Sequence, residues 1–105
     1  MSQFVAYRND NPATNHRYPY LLDIQSDLLS ELKTTVVIPL SPTGVALAKH
    51  FSRLNPFFTI EGANVIALTQ DIAGISRTML GAQVCDLSEY RSEIIDAVDF
   101  VLSGI

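Results

Sequence analysis

The chain has 105 residues and is 48% apolar, enough for one compact domain spanning residues 1–105 and too hydrophobic for a disordered chain. Seven basic residues against eleven acidic ones give a net charge of −4, which argues against nucleic acid as a direct ligand, because phosphate binding is driven by cationic side chains. Only 17% of the residues are charged, below the roughly 25% of ordinary soluble domains, so part of the surface is expected to be covered by another subunit.

From the N-terminus, Gln3 to Arg8 alternate as a first strand, and the turn formers from Asn9 to Arg17 predict an exposed, mobile loop. Tyr18 to Gln25 resumes a strand, with Pro19 near its start where a missing amide donor is tolerated. Thr34 to Leu40 is β-branched and nearly continuous, the pattern of a central strand buried on both faces. Ser41 to Asn55 is compatible with a turn and a short helix or with a small β excursion. Phe57–Ile60 and Val65–Thr69 read as a hairpin whose turn uses Gly62 and Asn64 at positive φ. Ile72–Ile75 and Arg77–Gly81 predict a bend and a further short strand. Asp86 to Leu102 predicts a helix, because Leu87, Tyr90, Ile94, Val98, Val101 and Ile105 recur at helical spacing, with Ile95 and Leu102 widening the same face. Asp86 or Ser88 supplies its N-cap, and Gly104 stops it. Many strands and one terminal helix give a mainly β fold of antiparallel sheets closed by a C-terminal α-helix.

Little in the chain points to chemistry by spacing alone. His16 and His50 have no metal-ligand neighbours, so no metal or cofactor is implied. Cys85 has no base beside it and reads as a small buried thiol; a lone cysteine fits a reducing compartment, the cytoplasm. The start of the chain has no export pattern, and no run approaches the roughly 20 apolar residues of a membrane span. The five glycines form no phosphate-cradling loop, and no pair of carboxylates stands out as an acid and a base. Phe100 falls on the polar side of the helix near Glu93, Asp96 and Ser103, where it is either an ordinary exposed apolar residue or an anchor for a partner.

Over its whole length the chain resembles the CcdB family of toxins from bacterial type II toxin–antitoxin operons. The resemblance is carried by Gln3-Phe4 with Tyr7, Asp23-Ile24-Gln25-Ser26-Asp27, Val37-Ile38-Pro39-Leu40, Leu68-Thr69, Asp71 with Ala73, Asp86-Leu87-Ser88, Ile94 to Val98 and Gly104-Ile105. It implies a homodimer of small Src-homology-like β-barrel subunits, each with a C-terminal helix. It further implies a toxin that catalyses nothing itself, binds the A subunits of DNA gyrase and traps the gyrase–DNA cleavage complex. A cognate CcdA-like antitoxin is implied as neutralising partner, with DNA engaged only indirectly through the autorepressing toxin–antitoxin complex.

Carried over position by position, the gyrase-facing surface corresponds to Leu28 and Leu29, to Arg91, Ser92, Ile95, Asp96 and Asp99 on the helix, and to Ser103, Gly104 and Ile105 at its end. Ser103 departs from the pattern, which can carry a tryptophan there that stacks on a gyrase arginine. Loss of such a contact costs roughly 2 kcal/mol, about thirtyfold in affinity, unless Phe100, one turn earlier, compensates. Asp96 and Asp99 replace amide-type residues and either repel gyrase or meet a cation on it. An antitoxin surface is expected at Arg8, Asn11, His16 and Arg17, with Thr43 and Lys49, where basic residues suit an acidic disordered tail. The alternatives are an endoribonuclease, since structurally similar toxins cleave messenger RNA, and a decayed homologue that binds antitoxin without poisoning gyrase.

Overall fold

A computed structural model describes residues 2–42 and 53–104. Its strands are β1 (Val5–Asn9), β2 (Tyr20–Asp23), β3 (Thr34–Ser41), β4 (Phe57–Ile60), β5 (Ala63–Ala67), β6 (Ala73–Ser76) and β7 (Leu80–Asp86), followed by helix α1 (Arg91–Ser103). All described pairings are antiparallel, in the order β4-β5-β3-β2-β1-β7, with β6 added to β3 off that path. The sheet curls into a half-barrel with α1 against it.

The β-branched run forms the predicted central strand, and the sheet forks on it. On one side β3 pairs with β2; on the other its first half, Thr34–Val37, pairs with β6 and its end, Leu40 and Ser41, pairs with β5. Pro39 falls between the two halves of the fork. Its carbonyl accepts from the Leu68 amide on the β5 side, so its missing N–H faces the gap where β6 has ended and β5 has only begun, the place in a central strand where a proline costs least.

Alternation sorts the strand residues onto two faces. Phe4, Ala6, Tyr20, Leu22, Ile38, Leu40, Phe58, Ile60, Val65 and Ala67 form the core, closed by Leu87 and Ile94. Val5, Tyr7, Leu21 and Val37 face the other way and are buried too, and Leu21 and Val37 line a groove there with Asn11, Thr14, Tyr18, Ile75 and Met79. The 10–18 loop is exposed along most of its length, as its composition predicts, and it carries hydrogen bonds of its own. Buried Asn9 donates to Thr14 and to the Tyr18 carbonyl, while Asn11 accepts from the Ala13 amide through its side chain and from the Thr14 and Asn15 amides through its carbonyl. The same amide side chains that mark turns thus fold the loop onto the sheet.

Three boundaries differ from the sequence reading. The β4–β5 turn is the two-residue pair Glu61-Gly62, both at positive φ (52° and 80°), so Asn64 lies in β5 instead of the turn. The last strand, β7, runs seven residues through Gln83, Val84 and Cys85 to Asp86, because pairing with β1 captures a segment that lacks clean alternation. Helix α1 therefore starts at Arg91, not Asp86. Asp86 pairs with Val5, the Leu87 amide bonds the Phe4 carbonyl, and a 3-10 turn over Ser88–Tyr90 leads into the helix. The C-terminal stop is as expected, with Gly104 left-handed and its amide on the Phe100 carbonyl at 2.8 Å.

Candidate functional site

The residues expected to face a target lie on two elements joined by the N-terminal segment. Asp27–Leu29 is a 3-10 turn capped by the Ser26 hydroxyl, and it presents Leu28, 94% exposed, with Leu29 and Leu32 beside it, about half exposed. The turn is fixed from both sides. The Gln3 amide donates to Asp27 at 2.8 Å, and Arg77 donates to the Leu32 and Leu29 carbonyls at 2.6 and 3.2 Å. Phe4 links the turn to α1. Its ring is buried beneath the Arg91 guanidinium, 5.4 Å from the ring centre, and its backbone is held at φ 67° by bonds to the Asp23 carbonyl and the Leu87 amide. Such a conformation costs a bulky residue about 1–3 kcal/mol and persists only where the surroundings over-determine it.

On the outer side of α1, Arg91, Ser92, Ile95, Asp96 and Asp99 line one shallow depression of about 330 Å³, so five of the expected residues share a surface. Asp96 among them, and Phe100 beside them, are already engaged. Asp96 accepts from Arg53 through both oxygens, at 2.9 and 3.1 Å, and the Arg53 guanidinium lies over Phe100, 5.2 Å from the ring centre. Phe100 is thus half-buried under a cation of its own chain. The cation that Asp96 meets here belongs to its own chain, and Arg53 holds its carboxyl below the ordinary carboxylate range. Ser103 turns its hydroxyl back to the Asp99 carbonyl at 2.7 Å. Leu102, expected on the core face, is 76% exposed instead, because the buried stripe narrows to Ile94 and Ala97 with Val98 packed beside them. Sequence reasoning missed Leu32, Leu102 and Arg53; only Leu102 carried a signal, at the margin of its helical stripe.

The basic residues expected near the antitoxin divide into two places. Arg8 bonds both oxygens of Glu61 at 2.9 and 2.8 Å, and the Tyr20 hydroxyl donates to the same carboxylate at 2.7 Å. This cluster ties the tip of the β4–β5 hairpin to β1 and β2, strands it does not pair with. The Tyr20 hydrogen bond, aided by Arg8, lowers the pKa of Glu61 and in turn raises that of Tyr20. His16 and Arg17 lie with Tyr18, Ser41, Pro42 and Leu68 around a second depression of about 290 Å³, Arg17 over the Tyr18 ring, while Asn11 belongs to the groove on the other face of the sheet. Thr43, Lys49 and Ile105 lie outside the described residues, as does most of the segment left open between helix and strand. Cys85 is half-buried, and burial raises its thiol pKa above the usual value. No group of histidine, cysteine or acidic residues suited to a metal occurs among the described residues, and none of their helices is long and apolar enough to cross a membrane.

A curled antiparallel sheet closed by a C-terminal helix is the fold of a class of small toxins. The chain belongs to the CcdB family: the family described as CcdB protein matches residues 3–104. Among solved structures it is similar to an endoribonuclease in complex with its cognate antitoxin from Mycobacterial species, with a TM-score of 0.69 at 13% identity over 97% of this chain and 94% of that one. It is similar also to the Mycobacterium tuberculosis toxin MazF-mt6, with a TM-score of 0.66 at 14% identity over 79% and 84%, and to a structure of an endoribonuclease from Mycobacterial species, at 0.69 and 12% over 97% and 90%. These likenesses correct one expectation, that the toxin catalyses nothing. Structures sharing its architecture are named as enzymes. The family resemblance carried that expectation, and no acid–base spacing in the sequence opposed it, yet a half-barrel brings together groups such as Arg8, Tyr20 and Glu61 from three separate places in the chain.

Proposed function

We propose that the protein is the toxin of a type II toxin–antitoxin module, acts in the cytoplasm as a homodimer, and binds the A subunit of DNA gyrase so as to trap the gyrase–DNA cleavage complex. The observation that carries this reading is membership of the CcdB family over residues 3–104. The binding face is the exposed leucine turn at Leu28 and Leu29 together with the outer side of α1 and its end at Ser103, Gly104 and Ile105. Leu102 joins it by exposure, and Phe100 by lying beside it under Arg53. A cognate CcdA-like antitoxin binds through Arg8, Asn11, His16 and Arg17, with Thr43 and Lys49 included on the sequence reading alone, and DNA is bound only by the toxin–antitoxin complex. That a structural neighbour was solved with its cognate antitoxin supports the partner.

One observation favours a second reading, cleavage of RNA. At the Arg8–Glu61–Tyr20 cluster a guanidinium, a carboxylate and a phenol meet, groups able to hold a phosphate and move protons during phosphodiester cleavage.

A single experiment separates the two. Purified protein is incubated with gyrase, ATP and supercoiled plasmid, then treated with detergent and protease, with an RNA substrate in a parallel tube. Linear DNA that requires gyrase, and that disappears when Gly104 and Ile105 are removed from a chain with unchanged circular dichroism, is the expected result. A fully active truncation overturns the assignment of the face. Intact plasmid with cleaved RNA, the cleavage lost in Glu61→Gln, overturns the gyrase reading in favour of the second.

A further inference from the structure

Between the start of β4 and the first turn of α1 lies a cavity of about 360 Å³ that shares Asp96 with the gyrase-facing surface but whose Phe57, Tyr90 and Glu93 neither reading uses. Its walls include Phe57, half exposed, Tyr90, 39% exposed, and Phe58, which meets Tyr90 edge-to-face at 5.3 Å between ring centres. Its polar groups are Arg53, Asp96 and Glu93. Arg53 and Asp96 neutralise each other through their paired hydrogen bonds. Glu93 makes no hydrogen bond or ion pair among the described residues, so the cavity presents one uncommitted carboxylate beside accessible aromatic rings.

We propose that this cavity is a binding site for an arginine side chain of a protein partner, stacked on Tyr90 and Phe57 and paired with Glu93. Three physical requirements select that ligand. Aromatic faces attract cations and leave anions unrewarded. A free carboxylate offers two oxygens in the fork geometry of a guanidinium, which is planar enough to lie on a ring while bonding at its edge; an ammonium stays more strongly hydrated and does not. Glu93, the one carboxylate there without a cation of its own, disfavours phosphate, so a nucleotide fits poorly on a chain of net charge −4. The molecule contains its own precedent one turn along the helix, where Arg53 lies over Phe100 with its guanidinium held by a carboxylate. Position in the first turn of α1 also suits Glu93 to the helix dipole, but that role needs no aromatic neighbours.

The proposal goes beyond the gyrase reading and is tested without gyrase. The tripeptide acetyl-Gly-Arg-Gly-amide is titrated into isotope-labelled protein and followed by NMR, with the citrulline tripeptide, neutral but of the same shape, as control. Expected are saturable amide shifts at Phe57, Tyr90 and Glu93 with a millimolar constant, and binding of the citrulline peptide about tenfold weaker. Glu93→Gln brings the arginine peptide down to the citrulline level. Tyr90→Leu, at a position exposed enough to leave the fold intact by circular dichroism, weakens both peptides. Equal binding of the two peptides, shifts centred elsewhere, or no shifts at all overturns the proposal, whatever the gyrase assay returns.

Discussion

Asp23 is the charged residue on which local energetics and the leucine turn meet. It is 2% exposed, and burial raises its pKa above the ordinary carboxylate value despite the Thr35 hydroxyl at 2.8 Å, the Gln25 amide at 3.1 Å and Arg77 at 4.0 Å. Desolvation outweighs these three contacts, and Arg77, at 4.0 Å, also donates to the Leu29 and Leu32 carbonyls. A raised folded pKa means that the folded state holds the proton more tightly than the unfolded one. The contribution is therefore fully present below the unfolded value of about 3.9, and is lost as pH rises through the folded pKa. Glu61 and Asp96 act in the opposite sense, since Tyr20 and Arg53 hold their carboxyls below the usual range and their contribution is lost as pH falls. In Asp23→Asn only the first of these effects is removed. The stability difference, wild type minus variant, should decline as pH is raised from below the ordinary carboxylate range toward neutrality, measured as urea midpoints across a pH series. A difference that is flat or rises with pH contradicts the assignment of burial as the dominant cause.

At the scale of elements, the β4–β5 turn shows how backbone chemistry sets the fold's closure. Gly62 has φ 80° with no heavy atom within 4 Å of where a Cβ would stand, and Gly74 in β6 has the same open space without a positive φ. Gly62→Ala should cost about 1 kcal/mol, the left-handed penalty of an L-residue, and Gly74→Ala should be neutral or slightly stabilising. Chemical denaturation of the pair isolates conformation from packing, and equal effects would refute this account. The same turn marks what was legible in the sequence. A hairpin between two apolar runs was readable because Glu61-Gly62 interrupts them, the central strand was readable from its nearly continuous β-branched run, and the terminal helix from its periodicity. The ends of β7 and the start of α1 were not, because Asp86 is claimed by a strand 81 positions earlier in the chain, a contact that no local pattern encodes. The outer face of α1 was legible as a set of neighbours. Its engagement by Arg53 was not, since a cation arriving from another element leaves no trace in helical spacing.

For the whole molecule, composition and surface point to association. Apolar residues make up 48% of the chain and charged ones 17%, and the described surface exposes Leu28, Leu29, Leu32, Phe57 and Leu102. Exposed leucines scattered singly need no explanation, but three within five residues on one fixed turn form a patch that water disfavours. The half-barrel supplies few means of shielding such a patch within one chain, because the turn is held outward by Gln3 on one side and Arg77 on the other. If the folded unit is a dimer, unfolding releases two chains, and stability then depends on protein concentration by mass action. Each tenfold increase should add about 1.4 kcal/mol per dimer and raise the apparent Tm by a few degrees. Sedimentation equilibrium over the same concentrations should give twice the chain mass, and Leu32→Asp, which charges the patch away from the helix, should preserve that mass if the patch serves the target and halve it if the patch is the dimer contact. A monomer mass with a concentration-independent Tm would refute the homodimer and leave the leucine turn as a surface for the target alone.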